Sequence, residues 1–211
     1  LAPDVPVLVV TDSEPGVDGT FTGDLLDGAH TDDTTLALSG TAEADSTLTL
    51  IGMGSSVTAT VDPSGNWTAT TTLLLDGNTY NASFTTIDIA GNVSATGTFV
   101  VTVDTTADVP VITGVADSSN LVESVSLTGQ SLNADALEVY GSASEGDTIT
   151  ISAIDGGVTV SSTITSGVGT PNWTGTTDSV STPETYDLIA VSTDRAGNVS
   201  GPSTIFQVTT D

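Results

Sequence analysis

The sequence predicts an all-β fold made of two tandem β-sandwich domains arranged end to end. Three observations predict it: a composition that favours strands, apolar residues that alternate with polar ones, and an internal repeat. Of the 211 residues, 40 are Thr and 24 are Ser, and Thr, like Val and Ile, favours strands. Acidic chains with few aromatic residues are often disordered, but a hydrophobic content of 37% in an alternating pattern predicts a folded protein.

The internal repeat sets the domain organisation. The pattern Asp-x-Ala-Gly-Asn-Val-Ser at positions 88–94 recurs at positions 194–200, which is 106 residues later. Two aromatic pairs have the same separation: Trp67 with Trp173, and Tyr80 with Tyr186. We therefore expect one domain over residues 1–106 and a second over residues 107–211, each of the usual size of one sandwich domain.

Each copy contains short alternating strands between turn signals, as a sandwich requires. In the first copy the inward positions are Leu48, Leu50, Val57, Val61, Trp67, Tyr80, Ala82, Phe84, Phe99, Val101 and Val103. In the second copy they are Ile149, Ile151, Val158, Val160, Trp173, Tyr186, Leu188, Ala190, Phe206 and Val208. The segment Leu132–Val139 is the one place where the sequence favours a helical turn.

The repeated aromatic residues are expected to have structural roles. Trp67 and Trp173 open a strand in both copies, which favours core packing over a carbohydrate-stacking platform. Tyr80 and Tyr186 occupy the position of a tyrosine corner, whose hydroxyl bonds to the backbone. The turn Asp62–Asn66 is expected to be a simple hairpin turn, because Asp, Pro, Ser, Gly and Asn all favour turns.

The formal net charge of −26 excludes several kinds of function. The chain has a single Arg, a single His, no Lys and no Cys. Nucleic acid and anionic membrane surfaces need a positive partner surface, and disulfide or thiol chemistry needs Cys. The sequence contains no run of 18 consecutive apolar residues, so it predicts no membrane-spanning helix. A nucleophile–His–acid triad would have to use His30, which we expect to be exposed in an acidic loop, so we expect no enzyme.

The positions of the acids predict a cation site at the domain junction. If seven strands follow the immunoglobulin order, the B–C, D–E and F–G loops return to the end where the first strand starts. For the second domain this end faces the short, Gly-free linker, so Asp104 and Asp108 should converge with Glu145 and Asp194. Crowded carboxylates repel, and Ca²⁺ resolves that repulsion because it accepts six to eight oxygen ligands. A merely solvated acidic surface is the alternative for any single Asp.

Several short motifs together resemble the bacterial immunoglobulin-like tandem repeats of giant surface adhesins, especially the extender repeats of repeats-in-toxin adhesins. The motifs are Ser39–Ala44, Asp62–Trp67, Asp88–Ser94 and the linker Val103–Thr106. The acidic segment Asp12–Gly19, followed by Thr31–Thr34, resembles the acidic first-strand region of this family. The resemblance implies a sandwich fold, Ca²⁺ between successive domains, and a mechanical role in holding a ligand-binding domain away from the cell.

The resemblance also implies which residues bind the metal. At the junction the linker acid is Asp104, the B–C loop acid is Glu145 and the F–G loop acid is Asp194, with Asp108 nearby. The equivalent acids at the N-terminal end are Asp4, Glu43 and Asp88. The acidic first-strand region adds Asp12 and Asp18 as candidate metal ligands. Asp24, Asp27, Asp32 and Asp33 could hold a further cation or be no more than a solvated loop.

We therefore expect a non-catalytic extender segment of a biofilm-type adhesin, located outside the cell on the bacterial surface and stiffened by Ca²⁺. Its partners would be neighbouring repeats of the same chain, and the isolated fragment would be a monomer. Neither end reads as a signal peptide, and we expect the chain to be a piece of a longer protein. The alternatives are a glycan- or protein-binding module and an accessory sandwich of a secreted polysaccharide-degrading enzyme.

Overall fold

The computed structural model describes residues 1–12, 23–118, 124–125, 129–134, 136–154, 162–165, 172–181 and 183–211. Every regular element in these ranges is a β-strand, and they contain no helix long and apolar enough to cross a membrane. The chain divides into two compact units. The first comprises Leu1–Thr105 with Ala196–Asn198, and the second comprises Thr106–Arg195 with Val199–Asp211.

The first unit is a sandwich of two sheets. Its strands are β1 (Val9–Asp12), β2 (Gly23–Asp24), β3 (Ala29–Thr31), β4 (Ala37–Thr41), β5 (Thr47–Ile51), β6 (Val57–Thr60), β7 (Asn66–Thr70), β8 (Asn78–Ile87) and β9 (Gly97–Val103). One sheet has the order β2-β1-β4-β7 and the other the order β3-β9-β8-β5-β6. Apolar side chains from the inner faces of both sheets form one core.

The second unit repeats this plan. Its strands are β10 (Val111–Asp117), β11 (Ser124–Val125), β12 (Gln130–Leu132), β13 (Ala136–Ser142), β14 (Thr148–Ala153), β15 (Ser162–Thr165), β16 (Asn172–Ser179), β17 (Glu184–Thr193) and β18 (Phe206–Thr210). The sheets have the orders β11-β10-β13-β16 and β12-β18-β17-β14-β15, and the unit has a core of its own. The prediction of an all-β chain with two immunoglobulin-like sandwiches is therefore confirmed. The predicted inward residues Val158 and Val160 lie outside the described residues.

The edge strands differ from the seven-strand order expected from the sequence. The first strand is split, so that β1 pairs with β4 in one sheet while β3 pairs in parallel with β9 in the other. The fourth predicted strand, β6, pairs with β5 rather than joining the sheet of β7. The reason is the short connection between β5 and β6, where Gly52 and Gly54 have φ angles of 94° and 69°, a backbone that glycine adopts without strain. This connection folds β6 back onto β5 as a hairpin.

The helical turn expected over Leu132–Val139 was wrong. The segment contains the end of β12 and the start of β13, whose buried side chains alternate with partly exposed ones. Leu137 and Val139 are buried, while Glu138 between them is not. A period of two places one face of the strand against the core, and pairing with both β10 and β16 holds the segment extended.

The repeated aromatic residues have the roles expected from the sequence. Trp67 and Trp173 are buried in their cores, so core packing is confirmed. The Tyr80 hydroxyl accepts a hydrogen bond from the backbone amide of Leu75 at 2.7 Å. In the second unit the Tyr186 hydroxyl accepts one from the amide of Ser181 at 2.8 Å, which confirms a tyrosine corner in both copies.

Each unit has two distinct ends. In the first unit, the amide of Val7 donates to the carbonyl of Thr41, so the chain enters beside the loops at 42–46, 61–66 and 88–92, and we name this the loop end. β9 finishes opposite the start of β8, where Val103 pairs with Asn78, and we name that the exit end. In the second unit Val111 pairs with Ser142 at the loop end, and Thr210 pairs with Glu184 at the exit end.

Candidate metal centre

The loop end of the first unit brings together two of its three predicted acids. Asp4 and Glu43 line one shallow depression together with Val5, Val7, Thr41 and Ala42. Asp88 has its carboxylate engaged in its own turn, because it accepts hydrogen bonds of 2.7 Å from the side-chain and backbone amides of Asn92. These hydrogen bonds, the side-chain one first, hold the pKa of Asp88 below its ordinary value. Each of its two oxygens therefore accepts a hydrogen bond from Asn92.

The loop end of the second unit holds Asp108, Glu145 and Asp194. The Ser144 hydroxyl donates to the Asp108 carboxylate at 2.8 Å, and the exposed Glu145 carboxylate lies 3.8 Å from the Arg195 guanidinium. Asp194 directly follows β17. Among the described residues of this unit, these acids do not form a group of three with ligand atoms within 4.8 Å of one another. Glu145 was predicted as the ligand from this loop, whereas Asp147, which is buried, was not.

A different acidic cluster lies at the exit end of the first unit. Asp12 is the last residue of β1, and Asp32 and Asp33 directly follow β3. One carboxylate oxygen from each lies within 4.8 Å of the other two, and this is the group with metal-ligand spacing in the part of the chain that the structure describes. Asp12 is 1% exposed and Asp33 is 4% exposed, while Asp32 is partly exposed. The cluster is therefore buried on one side and open on the other.

Thr31 orients the cluster. Its buried hydroxyl donates a hydrogen bond of 2.7 Å to Asp12 Oδ2, and the Thr31 hydroxyl oxygen accepts a hydrogen bond of 3.2 Å from the amide of Asp33. Pairing of β3 with β9 fixes Thr31 opposite Val103, and the Asp104 amide donates to the Thr31 carbonyl at 2.9 Å. The other carboxylate oxygen, Asp12 Oδ1, is buried and has no hydrogen-bond partner among the described residues.

The electrostatics of the cluster disfavour ionised Asp12. Burial raises the pKa of Asp12 to about 6, and although the hydrogen bond from Thr31 opposes this rise, the negative charges of Asp33 and Asp32 add to it. A buried carboxylate beside like charges takes up a proton more readily or needs a cation. Oxygen ligands from carboxylates are those that hard cations prefer, so the arrangement has the chemistry of a site for a divalent cation.

The resemblance placed Asp12 and the pair Asp32 and Asp33 in one acidic first-strand region, but only Asp12 and Asp18 of that region were predicted as metal ligands, and Asp18 lies outside the described residues. A further cation held by Asp24, Asp27, Asp32 and Asp33 was left open. Asp24 is exposed on β2, and Asp27 accepts the amide of Val100 at 2.7 Å. Asp12 meets Asp32 and Asp33 because β1 and β3 both finish at the exit end of the sandwich. This follows from the split of the first strand between the two sheets.

His30 was expected to be an exposed loop residue, and this was wrong. It lies in β3, where it pairs with Thr102 of β9 and is partly buried. Its Nδ1 atom is buried and has no hydrogen-bond partner among the described residues. Because side chains alternate along a strand, His30 is on the opposite face of β3 from Thr31 and the acidic cluster.

Comparisons with known proteins agree with the fold. Residues 10–105 match the family described as bacterial Ig-like domain, which confirms the resemblance to bacterial immunoglobulin-like repeats for the first unit. No curated protein matches the chain. The FN1–FN3 domains of chicken CNTN1 superpose with a TM-score of 0.50, at 13% identity over 99% of this chain and 67% of that one.

Two further solved structures are similar. A three-Ig fragment of titin has a TM-score of 0.50, at 10% identity over 99% of this chain and 66% of that one. The BSP domain of a biofilm associated protein has a TM-score of 0.30, at 16% identity over 88% of this chain and 29% of that one. The chain therefore spans less than a third of the length of that biofilm protein structure.

Proposed function

We propose that this chain, whose first unit belongs to the bacterial Ig-like domain family, is a non-catalytic spacer segment of a bacterial surface adhesin. In this role it projects a distal ligand-binding domain from the cell and works outside the cell. The family match and the presence of two repeats with one topology support this proposal.

The observation that carries the proposal is the position of the chain ends in each unit. In both units the chain enters at the loop end and leaves at the exit end, on the opposite side of the sandwich. The longest strands, β8 and β17, have 10 residues each, and a strand rises about 3.3 Å per residue. In each unit the chain therefore crosses the sandwich from one end to the other, which suits a spacer.

A glycan-binding module is the competing function. The burial of both Trp residues favours the spacer over it. Sugar recognition commonly uses an exposed aromatic ring, but Trp67 and Trp173 are both buried in their cores. The depressions at the two loop ends are lined by small, aliphatic and acidic side chains without an aromatic ring. Binding of the isolated chain on a glycan array would favour the module.

We further propose that Ca²⁺ bound by Asp104, Asp108, Glu145 and Asp194 limits bending between repeats. The support is the charge: 27 acids face a single Arg and no Lys, so close approach of two such repeats needs a cation to offset the repulsion. Extracellular Ca²⁺ sites typically have Kd values of roughly 10⁻⁴–10⁻³ M, which suits the millimolar Ca²⁺ found outside cells.

Small-angle X-ray scattering of the full chain tests this proposal. We expect the distribution of interatomic distances to sharpen and lengthen in millimolar CaCl₂ relative to EGTA. The double variant Asp104→Asn/Asp108→Asn should lose this response. The matched control Asp4→Asn/Glu43→Gln removes the same charge at the other loop end and should keep it. Identical scattering in CaCl₂ and EGTA for the unaltered chain would refute Ca²⁺ stiffening.

A further inference from the structure

We propose that the first unit lengthens in two steps when its two ends are pulled apart: β1 separates first, and β3 stays bound to β9 until a higher force is reached. The second unit, whose first strand β10 is bound along more residues, unfolds in one step. The inference rests on the spacer function proposed above, since a spacer between a surface and a ligand carries tension. It adds that the two repeats respond differently to the same tension.

Tension acts on β1 and β9 in opposite directions. The chain enters the first unit at the loop end, where the Val7 amide donates to the Thr41 carbonyl. It leaves at the exit end, where Val103 pairs with Asn78. Each strand is therefore pulled along its own axis, and the hydrogen bonds of an antiparallel ladder lie perpendicular to the strands. These bonds are loaded together, so the strand with fewer bonds and less buried apolar surface separates first.

Few contacts hold β1 in place. Residues 9–11 pair with β4, and the two-residue strand β2 pairs with β1 and leaves with it. Val10 is the one side chain of β1 in the hydrophobic core. The Thr31 hydroxyl holds Asp12 at 2.7 Å, but two acids of like charge lie beside that carboxylate. In contrast, β9 pairs with β8 at seven positions and with β3 at three, so β1 is the strand that separates.

After β1 has separated, tension reaches β3. Because β3 runs parallel to β9, the two strands are pulled past each other. The Gly28 amide donates to the Val100 carbonyl at 2.8 Å, and the Asp104 amide donates to the Thr31 carbonyl at 2.9 Å. The Asp27 carboxylate accepts the Val100 amide at 2.7 Å, and a bond to an ionised acceptor is stronger than a neutral one. This extra bond strengthens the attachment of β3 relative to that of β1.

Most of the core remains when β1 leaves. Of the described core residues of the first unit, only Val10 and Leu25 precede β3, so the side chains that follow stay packed between the two sheets. The 21 residues from Val7 to Gly28 are set free. An extended chain spans at most about 3.3–3.6 Å per residue, so this step lengthens the unit by up to about 70 Å, less the folded distance between those two residues.

The second unit is held in the reverse order of strength. Its first strand, β10, has seven residues and pairs with β13 at six positions. Both Ile112 and Val115 of this strand belong to the core. The parallel pair β12 and β18 has three paired positions, as β3 and β9 do. A force that removes β10 therefore exceeds what β12 can resist, and the unit unfolds without a halfway state.

Single-molecule pulling of the full chain in optical tweezers tests the proposal. The chain is attached by peptide tags at both ends and pulled in EGTA, so that bound Ca²⁺ contributes nothing. We expect three increases in length. The first, named the short step, is up to about 70 Å and occurs at the lowest force. The other two correspond to unfolding of the rest of the first unit and of the whole second unit.

A disulfide assigns the short step to β1. The chain has no Cys, so a new pair can be oxidised and reduced alone. Val9→Cys/Ser39→Cys joins β1 to β4 at directly paired positions, which are within reach of a disulfide. We expect oxidation to abolish the short step and a reductant to restore it. The matched control, Val111→Cys/Ser142→Cys, joins β10 to β13 and should leave the short step unchanged.

A second variant tests the attachment of β3. Asp27→Ala removes the carboxylate that accepts the Val100 amide. At a fixed force it should raise the rate at which the halfway state unfolds by about fivefold, as loss of one ordinary hydrogen bond does. The force of the short step should not change. Glu43→Ala removes another exposed acid of the same unit, at its loop end, and should change neither step.

Three results would overturn the proposal. The first is a record with two increases in length only, each that of a whole unit. The second is a short step that survives oxidation of Val9→Cys/Ser39→Cys, and the third is a short step abolished by the disulfide in the second unit. The spacer function fails separately: binding on a glycan array would argue against it without changing the pulling records, and a missing short step would leave it standing.

Discussion

At the exit end, the first unit gathers three carboxylates while the second unit packs Leu132 and Ala134 into its core. The strands around this place are the same in both units, since β3 pairs in parallel with β9 and β12 pairs in parallel with β18. Asp117 is kept in the second unit and is buried there. What differs is the short segment after the parallel strand, which carries two Asp residues in one copy and Asn and Ala in the other.

The rest of the framework is shared to the level of single hydrogen bonds. The Thr71 hydroxyl accepts the amide of Leu36 at 2.9 Å, and the Thr177 hydroxyl accepts the amide of Leu137 at 2.9 Å. Both tyrosine corners are present. Strand pairing and buried polar groups therefore specify this sandwich, whereas its exit end holds carboxylates in one copy and apolar side chains in the other.

The largest loss of stability is expected when a carboxylate is placed among the apolar side chains at the exit end of the second unit. Ala134→Asp would bury a carboxylate beside Leu132 in the core of the second unit. An uncompensated buried charge costs about 3–5 kcal/mol. We therefore expect the free energy of unfolding of the second unit, followed by the fluorescence of Trp173 in a Trp67→Phe background, to fall by that amount. Denaturant unfolding in EGTA measures it.

The control for this substitution is one residue away. Asn133 is exposed, so Asn133→Asp adds the same charge without burying it and should change stability by less than about 0.5 kcal/mol. The reverse exchange, Asp33→Ala in the first unit, should maintain or raise stability in EGTA because it removes one of three crowded charges. Equal losses from Ala134→Asp and Asn133→Asp would show that burial at this end does not distinguish the two copies.

Much of the fold could be predicted from the sequence because its signals are local and repeated. Alternating apolar residues predicted the inward faces, and the recurrence of Trp67 and Tyr80 one repeat later predicted their structural roles. The pairing of β6 with β5 was missed, because a hairpin depends on the backbone conformation at Gly52 and Gly54 rather than on strand pattern. The false helical turn at Leu132–Val139 arose because Leu, Ala and Glu favour helices, whereas two flanking strands decide the conformation there.

The buried acidic cluster could be predicted only in part. Asp12 was predicted as a ligand, and Asp32 and Asp33 were two of four acids considered for a further cation. The resemblance placed all three in one acidic region, but nothing in the local sequence shows that residues 20 positions apart meet. They meet because the first strand changes sheets between β1 and β3, a feature set by tertiary pairing. The acids at the loop ends were easier to place, since loop position follows from strand order.

A smaller loss of stability is expected when the hydroxyl of either tyrosine corner is removed. Tyr186 is fully buried, and its hydroxyl both accepts the Ser181 amide at 2.8 Å and donates to the Ser181 carbonyl at 3.4 Å. Tyr80 is partly exposed, and among the described residues its hydroxyl bonds only to the Leu75 amide. Loss of a hydroxyl that satisfies a backbone group costs about 1–3 kcal/mol when water cannot replace it.

We therefore expect Tyr186→Phe to destabilise the second unit by about 2 kcal/mol and Tyr80→Phe to destabilise the first by about 1 kcal/mol. Denaturant unfolding followed by the fluorescence of Trp67 or of Trp173, one in each unit, measures each loss separately. Because Phe keeps the aromatic ring, the substitution removes only the hydroxyl. A larger loss in the first unit would mean that burial does not set the strength of this corner.

The smallest effect is the pH dependence of the first unit without metal. Burial raises the pKa of Asp12 to about 6 in the folded protein from the ordinary value of 3.8, so the folded state binds a proton more tightly than the unfolded state. Its stability should therefore rise as pH falls from 7 to 5, by on the order of 1 kcal/mol.

Other acids also respond to pH, so the measured quantity is the difference in the free energy of unfolding between the unaltered chain and Asp12→Asn in EGTA, followed by the fluorescence of Trp67. The Trp173 signal should show no such difference, because Asp12 belongs to the first unit. An identical pH response of the Trp67 signal in the two proteins would mean that Asp12 is not the group that distinguishes the exit ends.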